Sequence, residues 1–430
     1  MMKRLLFIAF VSVAATLSAT AQSVYSEDKA HQIDYWARLF TATTWEELKM
    51  ITENNTYLES ASQTMYELSG DELVERQCRA RRDYYKQMNT YNKAFEQQEK
   101  IIHNHGTDKY ALYKDSEKAA EYFLRHGTTS LLASPPYSLN FDEYVDAIRT
   151  VKKAYGKVKS LKGLYMEGPY TNATYGACSY LNAWRGPIDE KQYKRLVDEA
   201  GTLAKVWTVS PEREGLLAFL EYARKVNPDT VFALGHSEAT PEQIRALGTK
   251  YRPKLMTHTF NATGRQTGSG GIRGYGPDEY CLADKEMYGE LISDSLGIHV
   301  HSDLQRMLIK TKGIERVVII TDSTVADGEA PEEFAHVTDL NFDEQGGISG
   351  SKLTMDVACR NIMHHTNCGI AQVFIMASLN PAKVIGMDDE VGSIEVGKAA
   401  DFVFVDDKFN VKQVMLGGKT LLNELSANGK

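Results

Sequence analysis

Four short stretches of the 430-residue chain each set a carboxylate or an imidazole directly behind an apolar run: GLYMEGPYTN around Glu167, ALGHSEAT around His236, MTHTFNA around His258 and VVIITDS around Asp322. Taken singly, each has an ordinary explanation. A histidine can sit buried with its ring satisfied, and an aspartate at a strand end can cap the following helix. Taken in order, they say more. One carboxylate and two imidazoles make a mixed oxygen and nitrogen donor set that suits zinc or iron and leaves coordination positions for water. A divalent metal held by Glu167, His236 and His258 would bring the pKa of a water towards ~7 and polarise a carbonyl, so one neighbouring base suffices to take and return the proton. Asp322, the last of the four, is the candidate for that base.

Such residues need a scaffold that aims them at one place, and the chain supplies a repeating one. From about residue 102, β-branched runs alternate with helical patterns of roughly ten to fifteen residues, which is the signature of repeated βα units. The candidate strands are Thr129 to Ala133, Gly163 to Glu167, Val206 to Ser210, Val231 to His236, Leu255 to Phe260, Leu291 to Val300 and Val317 to Asp322. An eighth, earlier strand would have to be Lys100 to His105, whose apolar centre is only Ile101 and Ile102. This count predicts an α/β fold, a TIM-like (β/α)8 hydrolase barrel, in which the residues that do chemistry sit at the C-terminal ends of the strands. Past Gly386 the chain alternates apolar and polar residues between turn signals and reads as a small β appendage.

Ahead of the barrel, residues 22–101 are charged and rich in Glu, Gln, Arg and Tyr, with apolar residues at helical spacing (Trp36, Leu39, Phe40, then Trp45, Leu48, Ile51), and read as helices. Residues 1–21 read as a secretory signal peptide: Lys3 and Arg4, an apolar run from Leu5 to about Leu17, then Ala19-Thr20-Ala21. That run is shorter than the roughly 20 residues a membrane span needs, so no stable membrane span is expected. The predicted organisation is therefore a signal at 1–21, a helical segment at 22–101, a barrel at 102–386 and a β appendage at 387–430. The chain is expected in the periplasm or outside the cell if the leader works as a signal, and in the cytoplasm otherwise.

Hydrophobic residues at 43% and charged residues at 25% are ordinary for a folded chain. The net charge of −8 comes without a basic stripe, so nucleic acid is excluded as a partner. Cys78, Cys178, Cys281, Cys359 and Cys368 are odd in number and lack a C-x-x-C pair, which argues against both a disulfide framework and a thiolate zinc site; most read as small buried hydrophobes. His301, His336, His364 and His365 have no motif context and read as surface or helix-face residues.

The four stretches, with RHGTTSLLAS at 125–134, GSKLTMDVACRNIM at 350–363 and SLNPAKVIGMDDEVGSIEVGKAADFVFVD at 378–406, resemble in order the blocks of N-acetylglucosamine-6-phosphate deacetylases of the amidohydrolase superfamily. The resemblance runs from about residue 120 to the C-terminus. It implies Glu167, His236 and His258 as metal ligands and Asp322 as the catalytic aspartate. It also implies that His299 contacts the substrate, that Asn261 and Ala262 line the sugar site, and that Arg273 holds the sugar phosphate, with Arg265 as its competitor. Separately, about residues 30–100 resemble the C-terminal helical part of transposase-like, recombination-promoting nucleases. None of the nuclease's catalytic acidic and lysine positions is matched, so the likeness implies a fusion or rearranged gene and no DNA cleavage.

Three departures from the deacetylase pattern matter. Where the family carries a histidine that contacts the substrate carbonyl, YGACSYLNAWRG offers Cys178, a poor hydrogen-bond donor, so either another group stabilises the oxyanion or the acyl group differs. His103 and His105 supply the letters of an H-x-H for a second metal, but in flanks that fit a strand and a helix end equally. The family's N-terminal β strands, which pair with the C-terminal appendage, are not visible. The leading expectation is metal-dependent deacetylation of an N-acetyl amino sugar, N-acetylglucosamine 6-phosphate first, giving glucosamine 6-phosphate and acetate. One alternative is an exported amidohydrolase acting on another N-acyl or cyclic amide. The other is a non-catalytic fusion product with an incomplete barrel. The expected partner is a small amino sugar, and the reading allows a homodimer.

Overall fold

The computed structural model describes residues 116–264, 274–324 and 328–423. The chain divides between Gln97 and Gln98, and every described residue lies in the second unit. The predicted signal peptide, the helices of 22–101, the strand Lys100 to His105 with its His103 and His105, and both Arg265 and Arg273 lie outside the described residues. No described helix is long and apolar enough to cross a membrane.

Seven parallel strands follow one another in sequence order: β1 (Leu131–Ala133), β2 (Leu161–Tyr170), β3 (Ala204–Val209), β4 (Val231–Leu234), β5 (Leu255–Met256), β6 (Tyr288–Ile292) and β7 (Val317–Ile320). They answer the seven predicted strands. The sixth differs most, ending at Ile292 instead of Val300. Its cause is Asp294, whose carboxylate accepts from the backbone N–H groups of Leu296, Ile298 and His299 and so offers them an alternative to a strand ladder.

Strands buried on both faces need apolar side chains both ways, and the alternation is visible residue by residue. Val206, Val231, Ala233, Leu255 and Val318 pack together inside the curl of the sheet. Their neighbours Trp207, Val209 and Phe232 point outwards, against helices α1 (Phe141–Ala154), α2 (Glu190–Ala200) and α3 (Leu216–Val226). Helix α1 shows how such a helix is specified. Asn140 caps it in a capping box with Glu143, Lys152 and Lys153 sit in its last turn, and Tyr144, Val145, Ile148 and Val151 form its buried stripe.

Among the described residues β1 and β7 are the two edges of the curled sheet. A cavity of about 770 Å³ runs between them from the barrel interior, lined by Leu131 and Leu132 on one side and Val318 and Ile320 on the other, and reaches Glu167, His258 and Asp322. After β7 come a hairpin of β8 (Leu340–Phe342) and β9 (Ile348–Ser351), the helix at Met355–Thr366, and a three-stranded antiparallel sheet of β10 (Phe402–Val405), β11 (Val411–Leu416) and β12 (Lys419–Asn423), the predicted appendage.

Asp356, 5% exposed, ties these parts together. Its carboxylate accepts from Thr354 at 2.6 Å and Arg360 at 3.1 Å, and lies 3.4 Å from the His126 ring that precedes β1. Burial pushes this carboxyl up, but the hydrogen bond from His126 and the Arg360 charge outweigh it and bring it to about 2. A depressed carboxyl stabilises the fold above its ordinary value of 3.8 and loses that contribution as pH falls through about 2. Asp356→Asn should therefore lower the unfolding free energy at neutral pH by about 3 kcal/mol, as when one side of a buried pair is removed. Urea unfolding of both proteins should show the gap narrowing between roughly pH 4 and pH 2, and a gap that is constant with pH would refute the assignment.

Candidate active site

Strands β4, β5 and β7 end at Leu234, Met256 and Ile320, and the residues two positions beyond them are His236, His258 and Asp322. All three have left-handed backbones, with φ of 45°, 29° and 47°. Non-glycine residues pay roughly 1–2 kcal/mol each for that region, so something must hold them. What holds them is a donor on each carbonyl. Ser210 Oγ donates to the His236 carbonyl at 2.8 Å, Asn261 N to that of His258 at 2.9 Å, and Ser351 N to that of Asp322 at 2.8 Å. Glu167 is delivered differently, from within β2, where the register against β3 shifts between Met166 and Tyr170 and Gly168 follows with φ of 133°.

Glu167, His236 and His258 converge, their three donor atoms lying within 4.8 Å of one another. Glu167 Oε1 is 2.7 Å from His236 Nε2 and 3.1 Å from His258 Nε2, and the two ring nitrogens are 2.9 Å apart. The opposite ring nitrogens meet backbone carbonyls: His236 Nδ1 lies 3.3 Å from Tyr175 O, and His258 Nδ1 lies 3.1 Å from Asn261 O. A carbonyl only accepts, so each Nδ1 carries a hydrogen and each Nε2 is turned inward to Glu167. Burial pulls the His258 ring down, but the hydrogen bond to Glu167 and the charge of that carboxylate outweigh it and raise it to about 9, so the cluster demands positive charge at these nitrogens, from a proton or from a metal that displaces it. That demand, with backbone anchors behind both rings, is the fit to a divalent cation. Burial pushes the Glu167 carboxyl up, but the bonds to His236 and His258 outweigh it and hold it well below the usual carboxylate range.

The surroundings divide into groups already engaged and groups left open. The Asp322 carboxyl is raised by burial and by the charge of Glu167, and makes no hydrogen bond with the described residues. His299 holds Asp294 through Nδ1 at 3.2 Å, while its buried Nε2 has no partner among the described residues. Asn261 is engaged through its backbone with His258, and Ala262 beside it has φ of 50°. The Cys178 thiol is engaged elsewhere, 3.6 Å from Asp343 Oδ2 and 3.9 Å from Ser349 Oγ.

Two residues that the sequence reading passed over also belong here. Glu290 is 3% exposed inside β6; it accepts from Tyr165 Oη at 3.1 Å and from His258 N at 3.3 Å. Burial raises its carboxyl to about 8, against the opposing pull of His258 and Tyr165. An acidic residue inside the apolar run YGELI was the signal for it. Tyr137, on the loop after β1, sets its ring edge-on to His236 with centroids 6.1 Å apart. Burial, then the charges of Glu167, Cys178, Asp322 and Asp343, hold its phenol far above the usual range. Its loop position hid it.

A family model described as the amidohydrolase family matches residues 94–421. The chain belongs to the amidohydrolase family. Among its relatives, an N-acetylgalactosamine-6-phosphate deacetylase of Escherichia coli O157:H7 is 31% identical over 60% of this chain and 67% of its own length. An N-acetylglucosamine-6-phosphate deacetylase of Bacillus subtilis is 31% identical over 58% of this chain and 63% of its own. Of solved structures, the N-acetylglucosamine-6-phosphate deacetylase of Thermotoga maritima superimposes with a TM-score of 0.61 at 25% identity, covering 71% of this chain and 82% of that one. The enzyme of the same name from Pasteurella multocida gives 0.61 at 26% identity, with 72% and 80% covered. These relatives favour neither a different amide substrate nor a non-catalytic fusion product.

If the two rings and Glu167 hold a cation, His258→Ala should abolish stoichiometric zinc or iron retention after desalting, measured by elemental analysis, with the far-UV dichroism unchanged. Retention by the unsubstituted protein should weaken as pH falls, since a proton on either Nε2 takes the metal's place. Retention that is indifferent to both changes would rule this cluster out.

Proposed function

We propose that the chain hydrolyses the N-acetyl group of an amino sugar 6-phosphate, N-acetylglucosamine 6-phosphate in the first place, to glucosamine 6-phosphate and acetate. The observation that carries this reading is the open Asp322 carboxyl beside three converging donors, in a chain whose relatives are named for this reaction. Glu167, His236 and His258 hold the divalent ion, zinc or iron by donor chemistry. Such an ion, when bound, supplies Lewis-acid polarisation of the acetyl carbonyl and acidifies water.

The chain's own groups do the rest. Asp322, its basicity raised by burial, takes a proton from the attacking water as the water oxygen bonds to the acetyl carbon. It returns that proton to the sugar nitrogen as the C–N bond breaks, leaving an amine and a carboxylic acid. His299 Nδ1 is held on the Asp294 carboxylate, which leaves the open Nε2 to meet a sugar hydroxyl. Asn261 and Ala262 line the sugar, Arg273 takes the phosphate, and His103 and His105 are the residues for a second ion.

Acetate release from N-acetylglucosamine 6-phosphate, from its galacto epimer and from unphosphorylated N-acetylglucosamine tests the reading on metal-loaded protein. Release should be fastest from a phosphorylated sugar and fall by about 10²–10⁴-fold in Asp322→Asn, the usual contribution of a positioned acid–base group. Loaded protein that releases acetate from none of the three would sink the proposal. For localisation we propose the periplasm or the cell exterior if the leader is cleaved after Ala21, a compartment that would favour another N-acyl substrate over a phosphosugar, and the cytoplasm otherwise. N-terminal sequencing of protein made in its own host should begin at Gln22, and a retained Met1 would overturn export.

A further inference from the structure

Hydrolysis of an amide builds negative charge on the carbonyl oxygen, and a donor already aimed at that oxygen is among the largest contributions a site can make. The groups near the three ligands differ in what they can give. The Cys178 thiol is turned to Asp343 and Ser349. His299, with Nδ1 on Asp294, has only its Nε2 left, which the reading above assigns to a sugar hydroxyl. Asp322 accepts protons. The hydroxyl that remains is that of Tyr137, which makes no hydrogen bond with the described residues and keeps its proton at neutral pH as phenols do.

The fold has made room for this side chain with two glycines. A Cβ on Gly168, the neighbour of Glu167, would stand 2.4 Å from the Tyr137 Cβ. One on Gly176, the neighbour of the Tyr175 carbonyl that anchors His236, would stand 2.7 Å from the His236 Nδ1 and Cε1 and 3.0 Å from the Tyr137 Oη. The hydroxyl and the ligand ring thus face the same backbone atom. Tyr137 is also fixed from behind: Pro135 and Pro136 precede it, its carbonyl accepts from Ala183 N at 3.1 Å, and Leu139 N closes a turn onto Pro136 O at 3.2 Å. A donor held this way needs no reorganisation when charge develops.

We propose that Tyr137 donates the hydrogen bond that stabilises the oxyanion of the tetrahedral species, the role Cys178 cannot fill. This rests on the deacetylase reading above. The phenol proton stays on Tyr137 throughout, and no bond to its oxygen forms or breaks.

Tyr137→Phe keeps the ring on Gly168 and removes only the donor. Its kcat should fall by about 10²–10³-fold, as for loss of one oxyanion donor, with melting temperature and metal content unchanged. A readout independent of turnover is calorimetric binding to the metal-loaded protein of a tetrahedral methylphosphonamidate analogue of the sugar phosphate, beside the product glucosamine 6-phosphate. The substitution should weaken the analogue by the same factor and leave the product alone, because only the analogue presents the oxyanion. Equal weakening of both, or of neither, overturns the proposal while wild type still releases acetate. A wild type that neither releases acetate nor binds the analogue overturns the deacetylase reading and this proposal with it.

Discussion

Two imidazole nitrogens and a carboxylate oxygen held within about 3 Å of one another, in a place nearly closed to water, form an arrangement that a protein sustains only against a compensating positive charge. Much of the described structure can be understood as meeting that demand. Anchoring each Nδ1 on a carbonyl fixes which nitrogen turns inward, and those carbonyls belong to the loops after β2 and β5. Left-handed backbones at His236, His258 and Asp322 swing the side chains off their strands towards a common centre. The strain they store is offset by donors from Ser210, Asn261 and Ser351.

Beneath Glu167, His236 and His258 lies a second polar layer. Tyr165, Thr208, Thr257 and Glu290 share hydrogen bonds of 2.9 to 3.1 Å across the interior of the sheet, where apolar packing would otherwise continue. Glu290 reaches upward from it to the backbone N–H of His258 and supports the strained turn directly. With its carboxyl raised by burial to about 8, it is mostly protonated at neutral pH and adds little negative charge under the centre. A fully ionised carboxylate at that position would draw a cation away from the upper three donors. The layer therefore supports the three donors without competing with them.

What could be read from the sequence follows from which physical signals are local. Parallel strands buried on both faces are apolar runs, and a histidine or aspartate that stops such a run is conspicuous, which is why His236, His258 and Asp322 were legible before their geometry was known. Glu167 was legible because a glycine and a proline follow it and break the same kind of run. The end of β6 was misread since LISDSLGIHV is apolar enough to pass for strand, and only the three bonds to Asp294 reveal that its backbone is satisfied otherwise. Tyr137 lay in Pro-Pro-Tyr-Ser, which looks like an ordinary turn. Its significance depends on Gly168 and Gly176, whose missing side chains are felt only in three dimensions.

The contrast between Cys178 and Tyr137 shows what a barrel mouth permits. Every strand of the curled sheet delivers its C-terminal end to the same rim, so a hydrogen-bond donor can enter from the loop after β1 as well as from the loop after β2. The chemistry constrains where the donor atom stands, and it is indifferent to which loop carries it. The positions of Glu167, His236 and His258 are less free, since three atoms must meet within 4.8 Å and each depends on its own carbonyl anchor or register shift. A ligand moved to another strand would have to rebuild that support as well. Ligand positions should therefore be the slowest to change in such a site, and single hydrogen-bond donors around them the quickest, with function kept by geometry more than by residue identity.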